Sequence, residues 1–287
     1  MIGQVTSRII KEFSLKYSDG NINYSLYSKL EPDAIQVIKQ QFSLSESRLK
    51  YIDCPSCDIQ CKVKSKPSGV NYIHCPADGC GILKDLKNNE DLAYKITLNG
   101  VADFLIKLLG IEGEKRVIEA GEVIYLGKKE LEDLGNLAFN IYLLRNDQGK
   151  KAFLDYHSPT KQAPTIIIKL GNGNLEIEGK QIAECLFSDL ACYDNDFEKF
   201  NINYKTFLEA IKGCFDGLQK STVQALLDEK FLKYFKELVK SKKIQDGRKG
   251  EYEIFANQYF NVSPNKFREI WKKHAPENLK KQGKRSN

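Results

Sequence analysis

The sequence has no apolar run long enough to cross a bilayer. Its longest such stretch, residues 101–109, is interrupted by Asp103 and Lys107 and falls far short of the roughly 20 residues a spanning helix needs. The opening residues, MIGQVTSRIIKEF, carry neither the basic start nor the apolar stretch of a secretory signal. A cytoplasmic protein without a membrane partner is expected. Histidine is scarce: His74, His157 and His274 are the three in the chain, too far apart in sequence to be read as a catalytic set. No Walker loop, Gly-x-Ser-x-Gly elbow or His-Glu-x-x-His is present, which removes three common enzyme signatures. Internal repeats and low-complexity tracts are also missing. Together these absences favour a binding protein over an enzyme.

What is there begins with size and thiols. The 287 residues suit one large domain or two to three small ones, and 41% hydrophobic content supplies a packed core. Eight cysteines in a reducing compartment argue for free thiols or metal ligands rather than disulfides. The net charge is +6 and unevenly spread: residues 221–287 hold 16 Lys or Arg against 8 Asp or Glu, a net +8, leaving −2 for the rest. Positive charge gathered at one end is the footprint of a polyanion-binding element, and equally of a solvated lysine-rich tail.

The hydrophobic pattern divides the chain into five parts of an α+β protein. Residues 1–50 read as a helical lead-in, with Pro32 and Asp33 opening a helix to about Gln41. Residues 51–90 hold the cysteine-rich module. In 91–180, Asn99 is placed to cap a short helix that Gly110 ends, and a small antiparallel sheet follows. That sheet is read as two hairpins, 141–145 with 151–156 across Asn146-Asp147-Gln148-Gly149, and 165–170 with 175–177 across Gly171-Asn172-Gly173-Asn174. Residues 181–245 read as helices at 181–192, 204–215 and 222–242, the last opened by Ser221 and Gln224 in capping-box spacing. A glycine-bounded charged break at 245–250 reads as a flexible joint before the last part, 246–287.

The module at 51–90 carries the most specific signal. Cys54-Pro55-Ser56-Cys57 is followed, 17 residues on, by Cys75-Pro76-Ala77-Asp78-Gly79-Cys80. Two short cysteine pairs flanking such a linker match a structural Zn²⁺ site, because each tight turn aims two sulfurs at one centre. Between them, 62–64 and 70–74 have strand character, with Pro67-Ser68-Gly69 as the turn. A hairpin with a metal knuckle at each base is a zinc ribbon. The ligands expected are Cys54, Cys57, Cys75 and Cys80, with Cys61 and His74 close enough in sequence to replace Cys80. Four thiolates leave no open position, so this zinc folds the module rather than catalysing.

The C-terminal part has helix-turn-helix character. Asn261 suits the left-handed position of the turn, Ser263 the N-cap and Pro264 the first helical position. Val262, Phe267, Ile270 and Trp271 would pack on Ile254, Phe255 and Phe260, leaving Asn265, Lys266, Arg268, Glu269, Lys272 and Lys273 outward for double-stranded DNA. Lys280, Lys281, Lys284 and Arg285 would add phosphate contacts. Ala256 lies one residue earlier than the motif usually places its small residue, which keeps a plain helical pair open as the other reading.

The segments DCPSC, HCPADGCG, GEVIYLGK and FNVSPNKFREIWKKHAPENLKK resemble an uncharacterised group of bacterial proteins with a zinc ribbon first and a helix-turn-helix last. The resemblance implies a DNA-associated role in mobile elements or phage defence. The expected function is thus a non-enzymatic, zinc-stabilised DNA-binding protein, a transcription regulator or the recognition subunit of a larger machine. Two alternatives stand beside it: an adaptor whose ribbon docks a protein partner, and a Mg²⁺-dependent nuclease using Asp155, Glu178 and Lys180.

Overall fold

The computed structural model describes residues 44–280, apart from 88–90, 135–136, 146–147, 158–163, 171–176, 178–180, 195, 198, 216–217 and 246–247. The helix expected at about 32–41 lies outside the described residues. The end of the expected lead-in is a strand: β1 (Leu44–Arg48) pairs antiparallel with β6 (Leu92–Ile96). Between them, β2 (Tyr51–Asp53), β3 (Gln60–Ser65), β4 (Asn71–His74) and β5 (Leu83–Asp85) form a four-stranded antiparallel sheet in sequence order.

The larger core is built on a five-stranded sheet ordered β11-β10-β9-β8-β7. Helix α1 (Leu98–Leu109) leads into it, capped by the Thr97 hydroxyl, which accepts from the Gly100 amide, rather than by the expected Asn99. Gly110 closes the helix in the left-handed conformation, as its position implied. Strands β7 (Arg116–Glu119), β8 (Val123–Leu131) and β9 (Leu137–Leu144) form an antiparallel meander. After α2 (Gln148–Tyr156), β10 (Thr165–Lys169) returns parallel to β9, and β11 (Ile182–Leu186) lies parallel to β10. The sheet is therefore mixed, and the first expected hairpin is corrected, since 151–156 are helical; residues 171–176 of the second lie outside the described residues, and both edges of β10 are taken by β9 and β11.

Residues 151–156 belong to a helix because Gly149, Ala152, Phe153 and His157 recur at helical spacing and turn toward the sheet. Gly149 is a close-approach glycine: a Cβ there would sit 2.9 Å from the Glu122 carbonyl oxygen. Strand β10 reads Thr-Ile-Ile-Ile-Lys with every residue buried, the mark of a parallel strand covered on both faces. Its partner begins at Ile182, so the helix expected over 181–192 is instead β11, a single turn α3 (Phe187–Leu190) and β12 (Ala191–Asp194). One face of the mixed sheet (Ile124, Ile141, Ile166 and Ile168) packs on α1 and on α4 (Tyr204–Cys214). The other (Val123, Tyr142 and Ile167) packs against Phe153 of α2.

Helix α5 (Lys220–Lys240) joins this core to a second one. Val223, Leu226 and Leu227 sit in the sheet's core; Phe231, Phe235 and Leu238 sit in an aromatic core with α6 (Lys249–Phe260) and α7 (Pro264–His274). The expected capping box does not form. The helix opens from Gln219, and Gln224 instead exchanges two hydrogen bonds with Asn261 at 2.9 and 3.1 Å. The break after α5 is present, yet it is tied down. Arg248 pairs with Asp196 at 2.9 Å and with Glu251, and Lys243 reaches the Asp196 carbonyl at 2.7 Å. Asp196 lies between β12 and β13 (Lys199–Ile202), whose turn is held by the buried Asp194 carboxylate. No helix among the described residues is long and apolar enough to cross a membrane.

His157 makes one consequence of this packing measurable. It stacks on Phe153 at 5.0 Å and meets the Tyr142 ring edge-on, and burial lowers its pKa below the ordinary 6.5. A lowered folded pKa contributes stability that is present above pH 6.5 and lost as the pH falls through the folded value. His157→Leu should flatten the acid limb of a stability-versus-pH curve, and an unchanged limb would count against the packing. His274, also lowered by burial and then by Lys236, Lys273 and Lys280, keeps part of the slope in that variant.

Candidate metal centre and nucleic-acid interface

Cys54, Cys57, Cys75 and Cys80 converge at one end of the β2–β5 sheet, their four sulfurs all within 4.8 Å of one another. The sulfurs of Cys57 and Cys75 are 3.4 Å apart, those of Cys54 and Cys80 3.6 Å, and those of Cys57 and Cys80 3.7 Å. Four thiolates around a tetrahedral ion at 2.3 Å would stand about 3.8 Å apart. The donor set fits a metal ion of that size. Among the described residues no other group of three His, Cys, Asp or Glu converges in this way.

The two halves of the site are copies of one backbone device. The Cys54 amide donates to the Ile59 carbonyl at 2.8 Å, and the Cys75 amide donates to the Ile82 carbonyl at 2.9 Å. The residue after each second cysteine is left-handed: Asp58 at φ 57° and Gly81 at φ 57°. The next amide, of Ile59 or Ile82, then turns back onto the sulfur of Cys57 or Cys80. Cys80 is thereby the counterpart of Cys57, although four residues separate it from Cys75 and only two separate Cys54 from Cys57. The repeat was visible in the sequence as Cys57-Asp58-Ile59 and Cys80-Gly81-Ile82, a signal that counting cysteine gaps does not use.

Backbone amides favour the thiolate form at Cys54, whereas at Cys57 and Cys80 the Ile59 and Ile82 amides are outweighed by burial and the neighbouring sulfurs, which push both thiols up. The Ser56 amide, and after it that of Cys57, hold the Cys54 thiol at about 6, well below the ordinary 9.0. Cys61, fully buried beside the cluster, is pushed up to about 11 by burial and then by the neighbouring sulfurs, and its thiol donates to the Ile59 carbonyl. It is a packed thiol, not a member of the four. His74 is exposed on β4. Burial likewise raises the remaining thiols, Cys185 and Cys192 to about 12 and Cys214 to about 11. They are core residues, Cys185 and Cys192 on strands and Cys214 at the end of α4.

The second candidate surface is α7. The three residues 261–263 join it to α6: Asn261 is left-handed at φ 53°, the Ser263 hydroxyl accepts from the Lys266 amide, and Pro264 opens the helix. Phe267, Ile270 and Trp271 turn inward onto Phe231 and Phe235, while Asn265, Arg268, Glu269, Lys272 and Lys273 are exposed. Lys266 pairs with Glu269 at 3.1 Å. Ala256 is fully buried, and its neighbour Asn257 lies on the exposed side, its amide reaching across the turn to the Val262 carbonyl at 3.4 Å. Of the tail, Lys280 pairs with Glu277 on the short α8 (Glu277–Lys280), and Lys281, Lys284 and Arg285 lie outside the described residues. Ile254, expected in the core, is instead largely exposed.

Of the expected nuclease triplet, the described member does not stand on a strand. Asp155 is an exposed residue of α2, and Glu178 and Lys180 lie outside the described residues. The mixed sheet does hold a carboxylate–lysine pair, Lys169 on β10 and Glu184 on β11, 2.6 Å apart. Comparison with protein families, curated proteins and solved structures finds no match to this chain.

Proposed function

We propose that this is a zinc-stabilised protein that binds double-stranded DNA, with the metal folding the β2–β5 unit and α7 lying in the major groove. The observation that carries the reading is α7 itself. It has a capped and stiffened N-terminus on a three-residue turn, a buried aromatic stripe, and an opposite stripe of Asn265, Arg268 and Lys272 at helical spacing. Amide and guanidinium groups at the start of such a helix match base edges, and the lysines match phosphates. Lys236, Lys273 and Lys280 gather positive charge from α5, α7 and α8 around His274 beside it. The role inferred is a regulator or the recognition subunit of a larger assembly, and the resemblance in sequence implies a mobile-element or phage-defence setting.

Removing residues 246–287 would not test this, because it strips α6 and α7 from Phe231 and Phe235 of α5. Point changes on the exposed face leave the core intact. After selection of a preferred site from random duplexes, Arg268→Ala should weaken that site by about 10-fold to 100-fold while leaving random duplex within a few-fold. Lys273→Ala should weaken both alike and reduce the slope of log K against log salt by about 0.9. If selection enriches no sequence, or the two variants behave identically on every duplex, α7 is not a reader.

A further inference from the structure

The outward face of the β2–β5 sheet is chemically unlike its inward face. Alternation along the strands sends Ile52, Cys61, Val63 and Ile73 toward the metal-side core. The other set shares one face, because Tyr51 pairs across from Lys62, Lys64 across from Tyr72 and Tyr72 across from Asp85; Asp53, two residues on from Tyr51, lies on the same face. Tyr51 is 53% exposed, too much for a tyrosine whose only task is packing. Lys62 and Lys64 are exposed and make no ion pair among the described residues. Lys66 extends over the Tyr72 ring, its Nζ 5.8 Å from the centroid, while pairing with Asp85.

We infer that this face binds single-stranded nucleic acid, with bases stacking on Tyr51 and Tyr72 and phosphates meeting Lys62 and Lys64. Two rings on either side of a cationic central strand, two residues out of register and so about 12 Å apart, form a stacking platform with its own charge track. Stacking of this kind takes any base, because every base has a π-face, but it needs bases freed from a duplex. Charge complementarity favours this occupant over a protein partner: residues 48–87 hold seven Lys or Arg against four Asp or Glu. Four thiolates around a divalent ion would carry a local charge of −2 at the knuckle end, which steers the strand toward the half of the sheet bearing Lys62, Lys64 and Tyr72. The site is separate from α7 and does not rest on its being a DNA reader.

The experiment uses the full chain with labelled 15-mers of oligo-dT and oligo-U. Tyr51→Ala and Tyr72→Ala should each weaken binding by about 10-fold, Tyr51→Phe should hold it near wild type, and metal content should stay unchanged in all three. Lys62→Ala with Lys64→Ala should lower the salt slope by about 1.4, at roughly 0.7 per contact. Equal affinity for the two oligomers assigns the site to both DNA and RNA, and a preference assigns it to one. Arg268→Ala should leave these values unmoved, which separates failure here from failure of the duplex reading. Single-strand binding that is absent, or indifferent to both tyrosines, overturns the inference, and a protein captured through Tyr51 in place of nucleic acid does the same.

Discussion

Treating the zinc-loaded chain with a strong chelator is expected to unfold β2–β5 while leaving the mixed sheet and its helices folded. The buried cluster of this unit is Cys54, Cys61, Ile73, Cys75 and Leu86, so two of its five members belong to the candidate metal site. A unit of this size cannot bury enough apolar surface to fold unaided. A bound metal ion would supply the difference, on the order of 10–16 kcal/mol in small zinc modules at neutral pH. Amide exchange should therefore collapse over residues 51–87 on chelation and stay slow in β9 and β10, whose side chains are almost wholly buried. Cys57→Ser and Cys80→Ser should each release the metal, because the two positions are equivalent in the paired knuckles. Cys61→Ser should retain it. A loaded, stable Cys80→Ser chain alongside a metal-free Cys61→Ser chain would overturn the assignment. So would slow exchange across 51–87 in the stripped protein.

That centre was legible because metal chemistry constrains sequence tightly: sulfur count, pair spacing and a turn between pairs all show in single letters. The α6–α7 turn was legible for the same kind of reason, since Asn261, Ser263 and Pro264 each solve a backbone problem at its own position. The mixed sheet was not. Asn146-Asp147-Gln148-Gly149 has the composition of a hairpin turn, yet Gly149 is required by the Glu122 carbonyl, a contact 27 positions away in sequence. The all-buried run Thr165–Lys169 was open to reading as a central parallel strand, but parallel pairing depends on a partner that no local pattern announces. Ile182–Leu186 alternates poorly, with one residue buried and four half-buried, and so imitated a helix. Gln224 satisfied a capping rule on paper and is claimed instead by Asn261. Tertiary contacts outrank local preference wherever the chain meets itself at long range.

Lys169→Met is expected to cost about 3–5 kcal/mol, enough to lower Tm by on the order of 10 °C. The ammonium lies 2.6 Å from Glu184, with 8% and 19% of the two side chains exposed. Glu184 also accepts from the Ile177 amide at 3.5 Å, so the carboxylate is held from two sides. Removing the lysine leaves that carboxylate in a poorly hydrated place between two parallel strands. It must then draw in water between the strands, which destabilises the fold. The pair is not thereby a net source of stability, since both charges lost their hydration to form it. Lys169→Met with Glu184→Leu should accordingly recover most of the loss, bringing the double variant to within about 1 kcal/mol of the parent. A double-mutant cycle on denaturant midpoints would read this as a large positive coupling. Additive losses would mean that the two residues stabilise the sheet separately, through their stems rather than their charges. Duplex binding should be the same in the parent and the double variant, because α7 packs on the second core and not on β10.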